Sequence, residues 1–391
     1  MNRRSAIVSV IALLLIPHIF TVPVLAQNAS PVPPRLLDAR TETMIDFPRG
    51  IRFRANLSPL PESEEVQVAL YYTVAGNDTE HLVVVPASGR SGARGEFIEL
   101  MVDLQSEFVP SGVTLEYHWD VRAGSTTIAE TTPEHVTWHD TRWPWQTTRS
   151  EQVVLHSYNL TPTFAASILG SAQSTVTGLE RRYALARSQP VDLWVYPSAD
   201  DFRGSQQQNS REAVAGASYP GFFLVVAVIP EGDAREVGRV IPHEFSHQVL
   251  YQATRNPFTL PPLWFDEGLA THYQTGGTDG YPGMVAIAFQ EDRLFALDSL
   301  DTTFPYAPAQ STLAYAASWS AVEYVRQRHG DDGIERLIAA FATGAPYDTA
   351  IRNALGVTLS ELDDQWRTWA GRQPTAGTAT NGTPVARPVA A

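Results

Sequence analysis

Near residue 148 the apolar pattern changes period, and this limits what the chain can fold into more than any other feature. Before it, "IRFRANL", "VQVALYYTV", "HLVVVPA", "GEFIELMVDL", "TLEYHWDVRAG" and "PEHVTWHD" read as short, half-buried strands. Turn signals such as "SPLPES", "AGND", "SGRSG" and "VPSG" separate them. Several strands at this spacing, with no helical stretch among them, predict an all-β, immunoglobulin-like or fibronectin-like sandwich over residues 30–147. Beyond it the period alternates. "EQVVLHSY" and "VDLWVYP" read as strands around a helical stretch at 163–186, and "GFFLVVAV" as a further strand. Helices are predicted at 234–253, 263–273, 318–328, 333–342, 348–355 and 359–369. The chain therefore reads as multidomain, with the sandwich followed by an α+β domain over 148–371. Residues 372–391, rich in Thr, Ala, Gly and Pro, hold too few apolar groups to offset ordering and are predicted to be disordered. No internal repeat interrupts this plan.

The first 26 residues have the layout of a secretory signal: Arg3 and Arg4, an apolar run from Ala6 to Phe20, and "VLA" before Gln27. Export of the mature chain follows. The alternative is an uncleaved anchor over residues 6–26, just long enough for the roughly 20 apolar residues a bilayer needs. Pro17, His18 and Pro23 interrupt that run and favour cleavage. A formal charge of -14 disfavours nucleic acid and anionic membranes as partners. It selects no substrate, and nothing in the sequence speaks to oligomeric state.

The chain has no cysteine and no lysine; all 28 of its basic residues are arginine. This excludes thiol nucleophiles, cysteine metal sites, disulfides, Schiff-base lysines and phosphate-loop lysines. Catalysis is left to Ser, Thr, Tyr, His and carboxylates, with or without a metal. Of the ten histidines, His18 lies in the leader, and His81, His118, His135, His139 and His156 are scattered through the β-rich half. His243 and His247 lie four apart, with His272 farther along.

In "RVIPHEFSHQVLYQ", residues 239–252, positions i and i+4 share a helix face with Cβ atoms about 5–6 Å apart. Two imidazoles so placed can converge on one ion through Zn–N bonds of about 2.0–2.1 Å. Glu244, one step round, can reach a water held by that ion without being a ligand. Alone, the same pattern also suits an ordinary helix, since Val237, Val240, Ile241, Val249 and Leu250 supply an apolar face. "PLWFDEGLATHY" tips the balance. Asn256-Pro257 and Pro261-Pro262 end one helix and restart the chain, so a second helix can return across the first. Glu267 on it sits among Trp264, Phe265, Leu269 and Ala270, where an unpaired carboxylate is costly and a cation removes the cost. A third protein ligand leaves one tetrahedral position for water, as a catalytic zinc site requires. Pro242 fits poorly: it cannot bond the carbonyl of Gly238 and should kink the helix.

"HEFSH" followed by "WFDEGLA" resembles the gluzincin signature, and residues from about 150 to 370 resemble the peptidase MA-like domain of exported bacterial proteins. "VDLWVYPSADDF" is similar to the strand before that family's active-site helix. "LAYAASWSAVEYVRQRHGDDGIERLIAAFATG" and "AIRNALGVTLSELDDQWRTW" are similar to its C-terminal helices, and the β segment ending "WHDTRWPWQT" to a domain often fused in front. The resemblance implies a zincin-like fold, Zn²⁺ held by His243, His247 and Glu267, and Glu244 as general base and later proton donor to the leaving amine. It also implies an oxyanion-stabilising side chain, for which Tyr315 is the candidate. The implied activity is a secreted zinc metallopeptidase acting on peptide or protein substrates. An inactive zinc-loaded binding protein, and a zinc hydrolase of a non-peptide amide or ester, use the same groups. Asp266 can orient a ligand imidazole, His272 reads as structural or supporting, and "GASYPGFFLVVAV" can supply a strand along the rim.

Overall fold

The computed structural model describes residues 34–372, apart from positions 38, 58–65, 76, 87–97, 108, 187, 204 and 206–214. The leader at 1–26 and the tail at 373–391 lie outside the described residues. Among the described residues, no helix is long and apolar enough to cross a membrane.

The N-terminal region is built of strands: β1 (Arg35–Leu36), β2 (Arg40–Asp46), β3 (Gly50–Asn56), β4 (Val66–Val74), β5 (Asn77–Pro86), β6 (Ile98–Val102), β7 (Thr114–Ala123), β8 (Thr126–Glu130) and β9 (Glu134–Thr137). One sheet runs β1-β8-β7-β4-β5, with β9 also on β7, and a second runs β2-β3-β6. Alternation decides which side chains face inward. Ile51, Phe53 and Ala55 of β3 are buried, whereas the intervening Arg52 and Arg54 pair with Glu99 and Glu42 outside. The inner faces of both sheets enter one core around Trp119.

A third sheet of β10 (Gln146–Arg149), β11 (Val153–Ser157), β12 (Val191–Tyr196), β13 (Gly216–Tyr219) and β14 (Leu224–Val228) has the order β10-β11-β12-β14-β13. β11, β12 and β14 run parallel, and the two edge strands are antiparallel to their neighbours. Its central strands are apolar on both faces, as a sheet covered on both sides requires. Leu193, Val195, Val225 and Ala227 pack toward the helices. Trp194, Tyr196, Leu224, Val226 and Val228 share a core with the N-terminal sheets. The joining segment packs against that core as well, through the half-buried Trp143 and Trp145. Trp145 meets Tyr158, Trp194 and Tyr196 edge-on at ring-centre distances of 4.8–5.0 Å. The buried Asp140 carboxylate accepts from Arg142 and from the Tyr196 hydroxyl. At Gly112, in a left-handed conformation, a Cβ would come within 2.7 Å of the Trp194 indole nitrogen. The change of pattern near residue 148 is thus a packed joint, not an open linker.

The remainder is α1 (Pro162–Arg182), α2 (Ala199–Phe202), α3 (Ala234–Thr254), α4 (Leu263–Tyr273), α5 (Tyr281–Gln290), α6 (Pro308–Ala342), α7 (Tyr347–Leu355) and α8 (Leu359–Ala370). Four expectations need correction. The helix predicted at 163–186 ends at Arg182, because Ala184 takes a left-handed conformation. The helices predicted at 318–328 and 333–342 are both present as the two halves of α6, split at the non-helical Gly330, where φ is 72°, but the first starts earlier, at Pro308. "GFFLVVAV" is not one strand: Phe223 is left-handed, and β14 starts after it. α5 escapes the pattern because "YPGMVAIAFQ" is apolar nearly throughout and shows no polar stripe.

α3 starts at Asp233, whose side chain accepts from the Glu236 amide at 3.0 Å. Burying Val237, Val240, Ile241, Phe245, Val249 and Leu250 fixes its face at about 1.5–3 kcal/mol per large side chain. α4 returns across α3 and rests on α6 at backbone distance, since a Cβ on Gly268 would lie 2.5 Å from the Ser318 carbonyl oxygen.

Candidate functional site

α3, α4, α6 and β13 meet around a cleft of about 710 Å³. α3 presents His243, Glu244 and His247; α4 presents Asp266 and Glu267; α6 presents Tyr315. His243 Nε2 lies 3.4 Å and His247 Nε2 3.6 Å from Glu267 Oε2. One ligand atom from each of the three residues falls within 4.8 Å of the others, so the group could hold a metal ion. Glu267 Oε2 is buried with no hydrogen-bond donor among the described residues. A buried carboxylate oxygen facing two imidazole nitrogens is a donor set that a divalent cation completes, and two nitrogens with one oxygen suit zinc.

The surrounding groups hold these side chains in place. Asp266 Oδ1 meets His247 Nδ1 at 2.6 Å, leaving Nε2 toward Glu267. The Tyr315 hydroxyl lies 3.4 Å from Glu267 Oε1, directed at it as a donor. The fully buried Gln248 donates to Ser218 Oγ and to the Leu224 carbonyl, both at 2.8 Å, and so docks α3 on the sheet. Beside it runs β13, the last strand in the sheet order among the described residues; the end strand of a sheet is the kind of element that can pair with an extended chain. Glu244, only 8% exposed, lies against Gly216 of that strand. A Cβ on Gly216 would sit 2.6 Å from Glu244 Oε1. His272 is apart from the group, with Nδ1 3.7 Å from Glu323.

Burial and charge separate the two glutamates. Burial pushes the Glu244 carboxyl up, and the neighbouring His243 and His247 only partly offset it. Burial acts the same way on Glu267, but His247 and His243 outweigh it and hold that carboxyl below its ordinary value. For His247 burial disfavours the cation, yet Asp266 and Glu267 overcome this and raise the imidazole to about 10. One carboxyl is therefore disposed to hold a proton and the other to stay ionised.

The structure thus brings together His243, Glu244, His247, Asp266, Glu267 and Tyr315, and leaves His272 outside. Sequence reasoning missed Gly216, because its contact with Glu244 is made in space alone. It also missed Gln248, although one turn after Glu244 on an amphipathic helix a glutamine facing the sheet was a readable signal. Among known families, the model of the Peptidase MA superfamily matches residues 171–371, just over half the chain. No curated protein matches it.

Proposed function

Because the chain belongs to the Peptidase MA superfamily, whose members suggest a metal-dependent peptidase, we propose that it is a secreted zinc metallopeptidase that hydrolyses peptide bonds. The observation that carries this reading is the convergence of His243, His247 and Glu267 on one point, with the buried Glu244 beside them but outside the donor set. His243, His247 and Glu267 are the ligands. Zinc, when bound, supplies the Lewis acidity that polarises a carbonyl and lowers the pKa of water toward about 7. Glu244 takes the proton of the attacking water and returns it to the leaving amine. The Tyr315 hydroxyl is the donor for the developing oxyanion. An extended substrate pairs with the outer edge of β13, which lays its scissile bond past Glu244. The two sheets around Trp119 support an immunoglobulin-like sandwich in front of this domain, and the leader supports export.

Cleavage of a diverse peptide library by the wild type, lost on chelation and absent from Glu244→Gln, tests the reading. Unchanged activity after chelation, or no zinc in the purified protein, overturns it.

The Asp266 carboxylate keeps the His247 tautomer and ring in place, so Asp266→Asn should weaken zinc binding about 10–100-fold. The same substitution has a proton signature. At neutral pH the metal-free His247 carries a proton, since its value lies near 10, and a ligand imidazole must be neutral. Zinc uptake by the wild type then expels that proton and strengthens as pH rises toward that value. Calorimetry in buffers of differing ionisation enthalpy should find less release from Asp266→Asn; equal release and equal affinity would refute the role. Gly216→Ala should keep zinc but displace the Glu244 carboxylate, and a misplacement of about 1 Å costs about 10²-fold in kcat/KM. Wild-type kinetics in that variant would show that Glu244 does not need the space.

A further inference from the structure

Pro242 stands inside α3, immediately before His243. A proline there has no N–H for the carbonyl four residues back, and its ring pushes that carbonyl outward. The carbonyl belongs to Gly238, and it is not left unpaired. The amide of Thr275, just beyond the end of α4, donates to Gly238 O at 2.9 Å. Gly238 itself makes the approach possible: a Cβ on it would press on the Thr275 side chain at 3.3 Å. The segment so anchored is one wall of the cleft. Gln274 and Gly277 line it, as does Tyr281 at the start of α5. Within the segment Gln274 Nε2 donates to the Gly276 carbonyl at 3.0 Å, and Gly276 and Gly277 are both left-handed.

We infer that Pro242 is a positioning residue, which exchanges a hydrogen bond within α3 for one between α3 and the segment after α4, and so sets the cleft wall against His243 and Glu244. A bond inside α3 would tie the helix only to itself. The bond from Thr275 instead joins the helix bearing His243 and His247 to the chain that continues the helix bearing Glu267. The inference rests on the proposed function only in taking the cleft as the place where substrate lies.

The test uses the full chain with Pro242→Ala and, separately, Gly238→Ala. Both substitutions raise intrinsic helix propensity, so a tolerated defect in α3 would make either variant more stable and leave the cleft unaltered. The inference expects the reverse at the cleft. Pro242→Ala supplies an amide that competes for Gly238 O, and Gly238→Ala pushes Thr275 away. Hydrogen exchange at the Thr275 amide should quicken about tenfold in either variant without a fall in Tm. KM for a cleaved peptide should rise about threefold with kcat little changed, and zinc content should stay at the wild-type level. Unchanged Thr275 exchange in both variants overturns the inference, as does faster exchange with an unchanged KM. If Pro242→Ala does not fold, Gly238→Ala decides alone. Thr275 exchange needs neither zinc nor turnover, so failure of the proposed activity would be seen separately from failure of the tie.

Discussion

Glu244→Gln is expected to lower peptide hydrolysis by about 10²–10⁴-fold, the usual contribution of a positioned general base, while zinc remains stoichiometric. Glutamine keeps the size and shape of the side chain, so the contact with Gly216 survives. What it cannot do is accept a proton. Zinc should stay because the group that could hold it is His243, His247 and Glu267, and Glu244 is outside that group. Stability gives a second, independent sign. Burial raises the Glu244 carboxyl, so the folded metal-free chain binds this proton more tightly than the unfolded chain does, and stability falls as pH rises through that range. A neutral glutamine removes that loss, so the metal-free variant should match or exceed the wild-type Tm at neutral pH. Steady-state kinetics, metal analysis and a thermal melt measure the three quantities on one preparation. Activity within about tenfold of the wild type would exclude Glu244 as the base, and loss of zinc would place it among the ligands instead.

Removing a ligand should give the opposite pattern. Glu267→Ala takes away the oxygen that stands 3.4 and 3.6 Å from the two imidazoles, and a site of two histidines should no longer retain zinc through dialysis. The consequence is clearest in unfolding. A metal that binds only the folded chain adds about 2.7 kcal/mol at a free concentration 100 times Kd. Wild-type unfolding by urea should therefore shift to higher denaturant when zinc is present, whereas Glu267→Ala should unfold at one midpoint with or without it. His243→Ala should behave likewise. The control is Tyr315→Phe, which loses the hydroxyl directed at Glu267 Oε1 but no ligand, and should keep the zinc-dependent shift. Full zinc occupancy in Glu267→Ala would mean that another side chain completes the site.

Much of this was legible before any fold was known, and the reasons are local. His243 and His247 share a face because four residues make little more than a turn, and that holds wherever α3 lies. The prolines before Leu263 announced a new helix, and the apolar neighbours of Glu267 announced the burial of its carboxylate oxygen Oε2, though the residue as a whole is half-buried. Strand alternation in the N-terminal half is equally local, which is why "IRFRANL" reads as a half-buried strand. Less legible were elements whose character comes from their surroundings. α5 has no polar stripe to set its period, and α6 extends to Pro308 because packing carries it past where the pattern is clear. The segment around Trp143 and Trp145 read as the end of one domain, but in space its aromatic rings pack into the core that the N-terminal sheets share with one face of the third sheet.

Pro242 shows the division most clearly. By the rules of a single helix it is a defect, since the carbonyl of Gly238 loses its partner, and the sequence offers no candidate to replace it. The replacement, Thr275, becomes adjacent only after the chain has passed through α4. What the sequence by itself determined was the chemistry available: no thiol, no lysine, two imidazoles at helical spacing, and a buried carboxylate on a returning helix. What only the tertiary structure decided was how those groups meet: Glu244 against Gly216, Asp266 on His247, Tyr315 over Glu267, and Thr275 on the carbonyl that Pro242 leaves free. The spacing of residues along one helix is set by its 3.6-residue period, whereas contacts between elements depend on how all of them pack together.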